Sequence, residues 1–531
     1  MIARIVDDRW IYLDNVTEWE ESMIDDHFSA EVPNSRYIES SELQSWDGVY
    51  RRYNFQQQRL ARPFLGELRA FCKKKDLQIV VEDKRPPAKY KPISIDRLTE
   101  SFLPGITLKD FQIKGIKRVW STEVGIFDIP TGGGKTELMA AVCKIIKCPT
   151  AIIAEQRIVI DQIRERLTLR DVCEEPGLFY AGKMPTGQLI IVGTIQSLVA
   201  PTKRPQKPEK ENYKTTEHST QEKKYKAAKK RYEISLKAFR SRNKKAKAIR
   251  KLIGKCHMIL VDECDLATGD TYKKLFRYWF KGRRRYGFTG TPYDEQKPVQ
   301  QLFLREHLGS VIYKQTKTQV QKAGLIVPLE YFTIVIDGGG KKNDDRAFDI
   351  ALDEDMIYSD QFHRIVRALC AKHRDEGTLI LVERHDLGHA LNAIIPDCDF
   401  VYGNTPKKKR PEILSAFEDR KIKVLIGGKN VRRGLDLSGG CENLVLATGG
   451  KLESEFDQRL GRARRLNPNG KARVYDFYWM GNKHLHKHSV RRLKSAIKLG
   501  CETHVVYPDG IIDGEAFVRS QFKRPNFARR K

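Results

Sequence analysis

None of the ten cysteines in this 531-residue sequence forms a Cys-X-X-Cys pair. That spacing is what zinc ribbons and thiol-redox motifs use, so neither is expected. The thiols inside apolar runs (Cys143, Cys148, Cys264) read as reduced and buried. The chain also lacks any run of about 18 apolar residues, the least that a spanning helix requires, so no membrane partner is expected. Its first residues, MIARIVDDRWIYL, bring in acids at once and lack the apolar core of a secretion signal, which suggests a cytoplasmic protein. Negative charge is short as well. Against 97 Lys and Arg there are 68 Asp and Glu, a formal net charge of +29. A surplus that large points to a polyanionic partner, because each Lys or Arg docked on phosphate releases condensed counterions.

What is present is enough for several packed cores, with 40% hydrophobic residues. Composition divides the chain into residues 1–95, 96–300, 301–490 and a basic extension, 491–531. The first region mixes alternating and amphipathic stretches and ends at KRPPAKYKP. From 96 to 300 short apolar runs (PTAIIAEQ, QLIIVGTIQSL, HMILVDECD) alternate with helical patterns, which implies βαβ units and a parallel sheet. The alternation resumes in the third region with YFTIVID, GTLILVE, KVLIGG, NLVLATGG and RVYDFYW. The expected fold is therefore α/β: two tandem parallel-sheet lobes, of which only the first carries a phosphate loop, behind a small α+β domain. An insertion at 201–255 holds 20 Lys and Arg against five Asp and Glu. Tyr225, Ala228, Tyr232, Leu236 and Phe239 recur there at helical spacing. Two readings stand: a basic helix or hairpin that projects toward nucleic acid, or a solvated charge run whose aromatics pack locally.

The phosphate loop is Ile129–Glu137, IPTGGGKTE, between an apolar strand and the helical pattern ELMAAVCKII. Gly132, Gly133 and Gly134, after Pro130 and Thr131, let backbone amides curl around phosphates. Lys135 neutralises them, the Thr136 hydroxyl can ligate Mg²⁺, and Glu137 opens the helix. The long form of the pattern has Gly where Ile129 stands. ILVDECD (Ile259 to Asp265) is an apolar strand ending in two acids. Asp262 would hold Mg²⁺ through water, and Glu263 would polarise the attacking water. In QRLGRARR, Gln458 and the arginines Arg462 and Arg465 could reach a γ-phosphate and stabilise charge that develops only in the transition state.

Taken in order, these motifs resemble helicase superfamily 2, from about residue 105 to 480. The resemblance implies two RecA-like lobes that use ATP and Mg²⁺, with ATP between Lys135, Asp262 and Glu263 on one lobe and Arg462 and Arg465 on the other. LKDFQ is similar to the Q motif, which makes Gln112 the adenine reader. AIIAEQRIVIDQ (Gln156, Arg157) and GTIQSL (Thr194, Gln196) are similar to strand-contacting motifs. TGTP (Thr289 to Pro292) is similar to motif III, LILVERHDLGHAL (Arg384) to motif IV, and RRGLDL (Arg433, Gly434, Asp436) to motif V. TGTP and the initial Gln of motif VI resemble the RecG-, XPB- and UvsW-like translocases more than DEAD-box RNA helicases. The DECD tetrad departs from both DEAD and DEAH.

Residues 46–87 resemble the small domain before the motor in UvsW-like phage helicases, which is thought to grip duplex DNA. Gly48 to Phe55 reads as a strand with Arg59 to Arg62 as its partner. The helix from Pro63 would present Arg69 and Lys73 to Lys75. Arg51, Arg52, Arg59 and Arg62 are the candidate phosphate contacts, whereas Trp46 reads as core. The domain would then be dispensable for hydrolysis. Two decoys are set aside: Glu82–Asp83–Lys84 as half of a nuclease site, and His484, His486 and His488, which would share one face of a strand. The tail with Phe522 and Phe527 is expected to face nucleic acid. The expected function is an ATP-dependent helicase or translocase on branched, duplex and single-stranded DNA, acting in branch migration, fork reversal or RNA–DNA hybrid removal. Replication and recombination proteins would be its partners, in host cytoplasm if phage-encoded. An RNA helicase, a restriction-complex motor and a non-translocating ATP-gated clamp are the alternatives.

Overall fold

A computed structural model describes residues 1–33, 46–199, 204–209, 218–293, 297–336, 345–406, 409–428, 440–450, 456, 460–461 and 463–522. Arg433, Gly434, Asp436, Gln458, Arg462 and Phe527 lie outside them. The chain divides into two compact units, one essentially Met1–Gln315 and the other Thr316–Lys531.

The first unit is built on seven parallel strands: β7 (Val124–Asp128), β8 (Thr150–Ala154), β9 (Gly177–Phe179), β10 (Ile190–Thr194), β11 (Met258–Asp262), β12 (Arg284–Thr289) and β13 (Val311–Lys314). They lie in the order β13-β7-β12-β11-β8-β10-β9. TAIIA and MILVD are buried at every position. Near-continuous apolar runs of this kind are what a parallel sheet covered on both faces requires. The helix Lys135–Ile146 seals one face with Leu138, Met139, Val142, Ile145 and Ile146, all buried. Because β13 belongs to this sheet, the first lobe runs past residue 300.

Ahead of the lobe, β1 (Ile2–Ile5), β2 (Trp10–Asp14), β5 (Arg59–Ala61) and β6 (Val80–Asp83) form a sheet in the order β5-β2-β1-β6. β3 (Ser29–Glu31) pairs separately with β4 (Val49–Arg51). The pairing expected between Gly48–Phe55 and Arg59–Arg62 is corrected here. β4 and β5 take different partners, and only an isolated bridge, Asn54 to Arg59, joins the two segments. This small domain is fused to the lobe. Leu302 from the lobe helix Pro298–Leu308 is fully buried in the N-terminal core with Phe28, Leu60, Phe64 and Leu68.

Arg62 joins the two parts electrostatically. Its buried guanidinium pairs with Glu123 and donates to the Arg283 carbonyl at 3.3 Å. Arg85 reaches Glu123 at 3.1 Å and Asp8 at 2.6 Å, and Arg283 reaches Asp8 at 3.1 Å. Arg52 pairs with Glu306 at 3.0 Å, and Arg305 pairs with Glu67.

The second unit carries β14 (Leu329–Ile336), β15 (Thr378–Val382), β16 (Cys398–Val401), β17 (Val424–Gly427), β18 (Asn443–Ala447), β19 (Ala472–Trp479), β20 (Glu502–Tyr507) and β21 (Gly510–Asp513). The order is β16-β17-β15-β18-β19-β14-β20-β21, parallel except for the last pair. Residues beyond 490 therefore contribute two strands and the helix Gly514–Phe522 to the lobe and are more than a basic extension. The three histidines sit on a helix, Lys483–Lys498, not on a strand. Among the described residues no group of three His, Cys, Asp or Glu could hold a metal ion, and no helix is long and apolar enough to cross a membrane.

Candidate active site

The ends of β7 and β11 lie at the same edge of the first sheet, and the phosphate loop starts where β7 stops. The Ile129 amide donates to the Thr289 carbonyl at 2.7 Å, tying the start of the loop to the end of β12. Gly134 caps the following helix with φ +87°, a conformation that favours glycine. A Cβ there would also lie 2.5 Å from the Gln112 amide nitrogen. The chain thus brings the Q-motif glutamine onto the phosphate loop. Gln112 is buried, and its Oε1 accepts from the Lys109 amide at 2.9 Å.

Lys135, the first residue of the loop's helix, donates from Nζ to Glu263 Oε1 at 2.6 Å. Residues 128 positions apart become an ion pair because β7 and β11 are both central strands. Asp262 is buried at the end of β11, and Glu263 follows with φ +45°. Burial, and then the neighbouring Glu263 charge, push the Asp262 carboxyl up to about 7. Burial pulls the Lys135 ammonium down, but Glu263 and Asp262 more than offset that and hold its pKa above its ordinary value. Asp265 is raised by burial and by Glu263. Two carboxylates beside one lysine leave more negative than positive charge at the end of β11, which favours a divalent cation held by one carboxylate together with other oxygens. Asp262, with the Thr136 hydroxyl and phosphate oxygens, would hold Mg²⁺, which supplies charge neutralisation on the transferring phosphoryl group.

Asp265 was not singled out in the sequence, and the structure gives it a place. Thr289 Oγ1 donates to Asp265 Oδ1 at 2.7 Å, and Thr291 Oγ1 lies 3.4 Å from Oδ2. The last acid of DECD therefore fastens both threonines of TGTP to the end of β11. An acid two positions after Glu263 was the available signal. Glu137 lies in the first turn of the loop's helix, as expected. Its carboxylate accepts from Arg170 Nε at 2.8 Å and Nη2 at 3.0 Å, bracing the loop's helix against the end of the next.

Two family descriptions match the chain: Type III restriction enzyme, res subunit, over residues 105–294, and Helicase conserved C-terminal domain, over 360–467. The chain belongs to the superfamily 2 helicases, a family of nucleic-acid-dependent ATPases. A curated relative is candidate helicase 22 of the Sulfolobus islandicus filamentous virus, 22% identical over 238 residues and 42% of each chain. This helicase thus spans less than half the length of that relative. Among solved structures, UvsW from bacteriophage T4 is 15% identical, with 95% of this chain and 99% of that chain covered and a TM-score of 0.42. A candidate HsdR subunit of a type I restriction enzyme from Vibrio vulnificus is 14% identical, with 78% and 72% covered and a TM-score of 0.49.

The motifs expected to contact a strand fall side by side in the helicase's first lobe. β8 and β10 are parallel neighbours with Ala154 opposite Thr194, so Gln156 and Arg157 leave one strand where Thr194 and Gln196 leave the other. Arg157 and Gln196 are exposed. Thr194 is buried, its hydroxyl 2.9 Å from that of Ser197. In the second lobe Arg384 is half-exposed and pairs with Asp349.

Of the N-terminal arginines expected at phosphate, Arg52 and Arg62 are corrected. Arg62 and Arg52 are tied to Glu123 and Glu306, Arg51 pairs with Asp25 at 2.9 Å, and Arg59 stacks 3.9 Å from the Trp10 ring centre. Arg52 and Arg62 hold the junction together in this structure, whereas Arg51 stays exposed. Arg69 and Lys73 to Lys75 are exposed, whereas Trp46 is half-buried and donates to the Val49 carbonyl at 3.1 Å.

In the second lobe, burial lowers the Arg465 guanidinium. The segment before motif VI is braced from behind: His488 Nδ1 donates to the Gly449 carbonyl and Arg492 Nη1 to that of Gly450, both at 2.9 Å. Arg492 is itself paired with Asp476 at 2.8 Å in full burial.

Proposed function

We propose that the protein is an ATP-driven DNA translocase that remodels branched DNA. The observation that carries the motor part is the Lys135–Glu263 contact with Asp262 beside it. It brings to one point the lysine proposed to neutralise phosphate and the carboxylates proposed to bind metal and polarise water. Lys135 would release Glu263 when phosphate takes its place, freeing that carboxylate to orient the attacking water. Arg462 and Arg465 are proposed to stabilise the transition state, as the resemblance implies. Gln112 would hold the adenine beside Gly134. Thr289 and Thr291, bound to Asp265, offer a connection from the hydrolytic edge toward nucleic acid.

Contacts to the sugar-phosphate backbone at Arg157 and Gln196 would give little sequence preference. What supports a branched substrate is the accessory domain fused to the first lobe, with the exposed cations Arg69 and Lys73 to Lys75. A domain that cannot swing away from its motor can brace a duplex while the motor pulls a strand. The test is turnover and gel-resolved remodelling on forks, four-way junctions, R-loops and RNA duplexes. ATP-dependent conversion of junctions or forks is expected. Activity confined to RNA duplexes would reassign the protein as an RNA helicase. Stimulated hydrolysis without any remodelling would favour a clamp or a motor subunit of a larger complex.

A further inference from the structure

The 201–255 insertion folds, over its second half, into one helix of 36 residues, His218–Ile253. Fourteen of these are Lys or Arg and two are Glu. The helix has two unlike faces. At alternating spacings of three and four lie residues 223, 226, 230, 233, 237, 240, 244, 247 and 251, all basic except Glu233. Lys223, Lys226, Lys230, Lys237, Arg240 and Lys244 are exposed. On the opposite face Tyr225, Tyr232, Leu236 and Phe239 lead down to Ala246 and Ile253, which are buried in the first lobe. The basic ridge from 223 to 251 is about 42 Å long at ~1.5 Å per residue. Like charges three and four apart repel along it, and a polyanion laid against it would relieve that repulsion.

The root of the helix is fixed at the motor's strand-contacting edge. Arg250 Nε donates to the Leu198 carbonyl, the last residue of GTIQSL, at 2.8 Å, and its guanidinium stacks 4.4 Å from the Trp279 ring centre. Lys245 Nζ donates to the Gly182 carbonyl at 2.9 Å. Five residues past Ile253 the chain enters β11, which ends in Asp262 and Glu263.

We infer that this helix is a duplex-binding arm, its basic ridge following the phosphates of about one turn of double helix and its root delivering that duplex to the strand path beside Gln196 and Arg157. The ridge lies on one continuous helix and runs slightly more than the roughly 34–36 Å of one duplex turn, which suits a duplex better than a flexible single strand. The inference rests on the proposed motor for the strand path, but not for the binding itself.

The test replaces the six exposed cations named above with Gln in the full-length protein, with a control in which the five lysines among them become Arg. Binding to a blunt DNA duplex, a single strand and an RNA duplex is followed by fluorescence polarisation without nucleotide across a salt series. Single-strand-stimulated ATPase is read in parallel, and circular dichroism verifies that the helix persists. Each lost phosphate contact should flatten the log K against log salt slope by about 0.9. The Gln variant should therefore lose about 2–5 in slope and ten-fold or more in duplex affinity, with single-strand-stimulated ATPase retained. The Arg variant should bind as the parent does. Unchanged duplex slope and affinity, or a loss on single strands alone, would overturn the arm, as would a parent protein that does not bind duplex. Preference for the RNA duplex would overturn its assignment to DNA. A parent ATPase that no nucleic acid stimulates would overturn the proposed function and leave the duplex result standing.

Discussion

Lys135 and Glu263 touch each other, yet removing either should fail differently. Lys135→Ala takes away the charge that meets the phosphates, and a charge-assisted hydrogen bond is worth about 1.5–3 kcal/mol, so ATP affinity should fall roughly ten- to a hundred-fold. Glu263→Gln keeps the lysine and the metal-binding Asp262, so ATP should bind while turnover is abolished. Equal loss of ATP affinity in both, by titration with a fluorescent ATP analogue, would contradict the division of roles. Arg462→Ala should cut turnover by about 10³ or more with little change in ground-state ATP affinity. A variant that hydrolyses normally but no longer binds nucleic acid would move that arginine to the strand path. The meeting of Lys135 with Asp262 and Glu263 was legible in the sequence because phosphate chemistry demands a lysine after a glycine loop and acids at a strand end. Arg52 and Arg62 were misread for a reason that local sequence cannot remove. Their acidic partners, Glu306 and Glu123, lie far along the chain, and an arginine's neighbours in sequence do not say whether such a partner will arrive.

The helix Pro298–Leu308 shows what an element can hide. It buries Glu306 and His307 where the N-terminal domain meets the lobe. Burial lowers His307 to about 3, with Arg285, Arg52, Arg277 and Lys273 adding to the effect. A histidine depressed in the folded state resists a proton that the unfolded chain accepts below pH ~6.5. Stability should therefore be full above that pH and fall as the pH drops toward 3, by about 2 kcal/mol between pH 6.5 and 5 from this group alone. Urea melts of the parent and of His307→Phe, which keeps the ring against Phe276, check this. The variant should lose less stability than the parent over that interval, and parallel curves would assign the acid sensitivity elsewhere. The apolar strands β8 and β11 were legible because burial on both faces leaves a continuous apolar run. β4 and β5 were not: each has three residues, and pairing that short is decided by which distant edge is free. The three histidines were rightly set aside as metal ligands, but alternation at two-residue spacing also fits a helix, whose turns carry His488 inward to Gly449.

At the scale of the molecule, the two-lobe parallel-sheet plan was readable from alternation alone, while the fusion of the N-terminal domain to the first lobe was not. That fusion changes what truncation should do. A chain beginning near Pro92 loses Arg52, Arg62, Arg85 and the core that covers Leu302, so Glu306 loses Arg52 and Glu123 loses Arg62 and Arg85. Breaking one partner from a buried pair costs about 3–5 kcal/mol, so the truncated protein should melt early or aggregate rather than persist as a bare motor. Arg62→Ala in the full chain should lower the first unit's stability by a similar amount, read by urea melts. A truncated protein with parental stability and ATPase would show that the junction is dispensable. The placement of the arm has a different consequence, for a protein cut in two. The strands before it, β7 to β10, and those after it, β11 to β13, interleave in one sheet: β7 lies between β13 and β12, and β8 between β11 and β10. A protease nick after Lys229 or Lys230 would thus yield fragments that three inter-fragment ladders keep together. They should run as one species on a sizing column and separate only in denaturant.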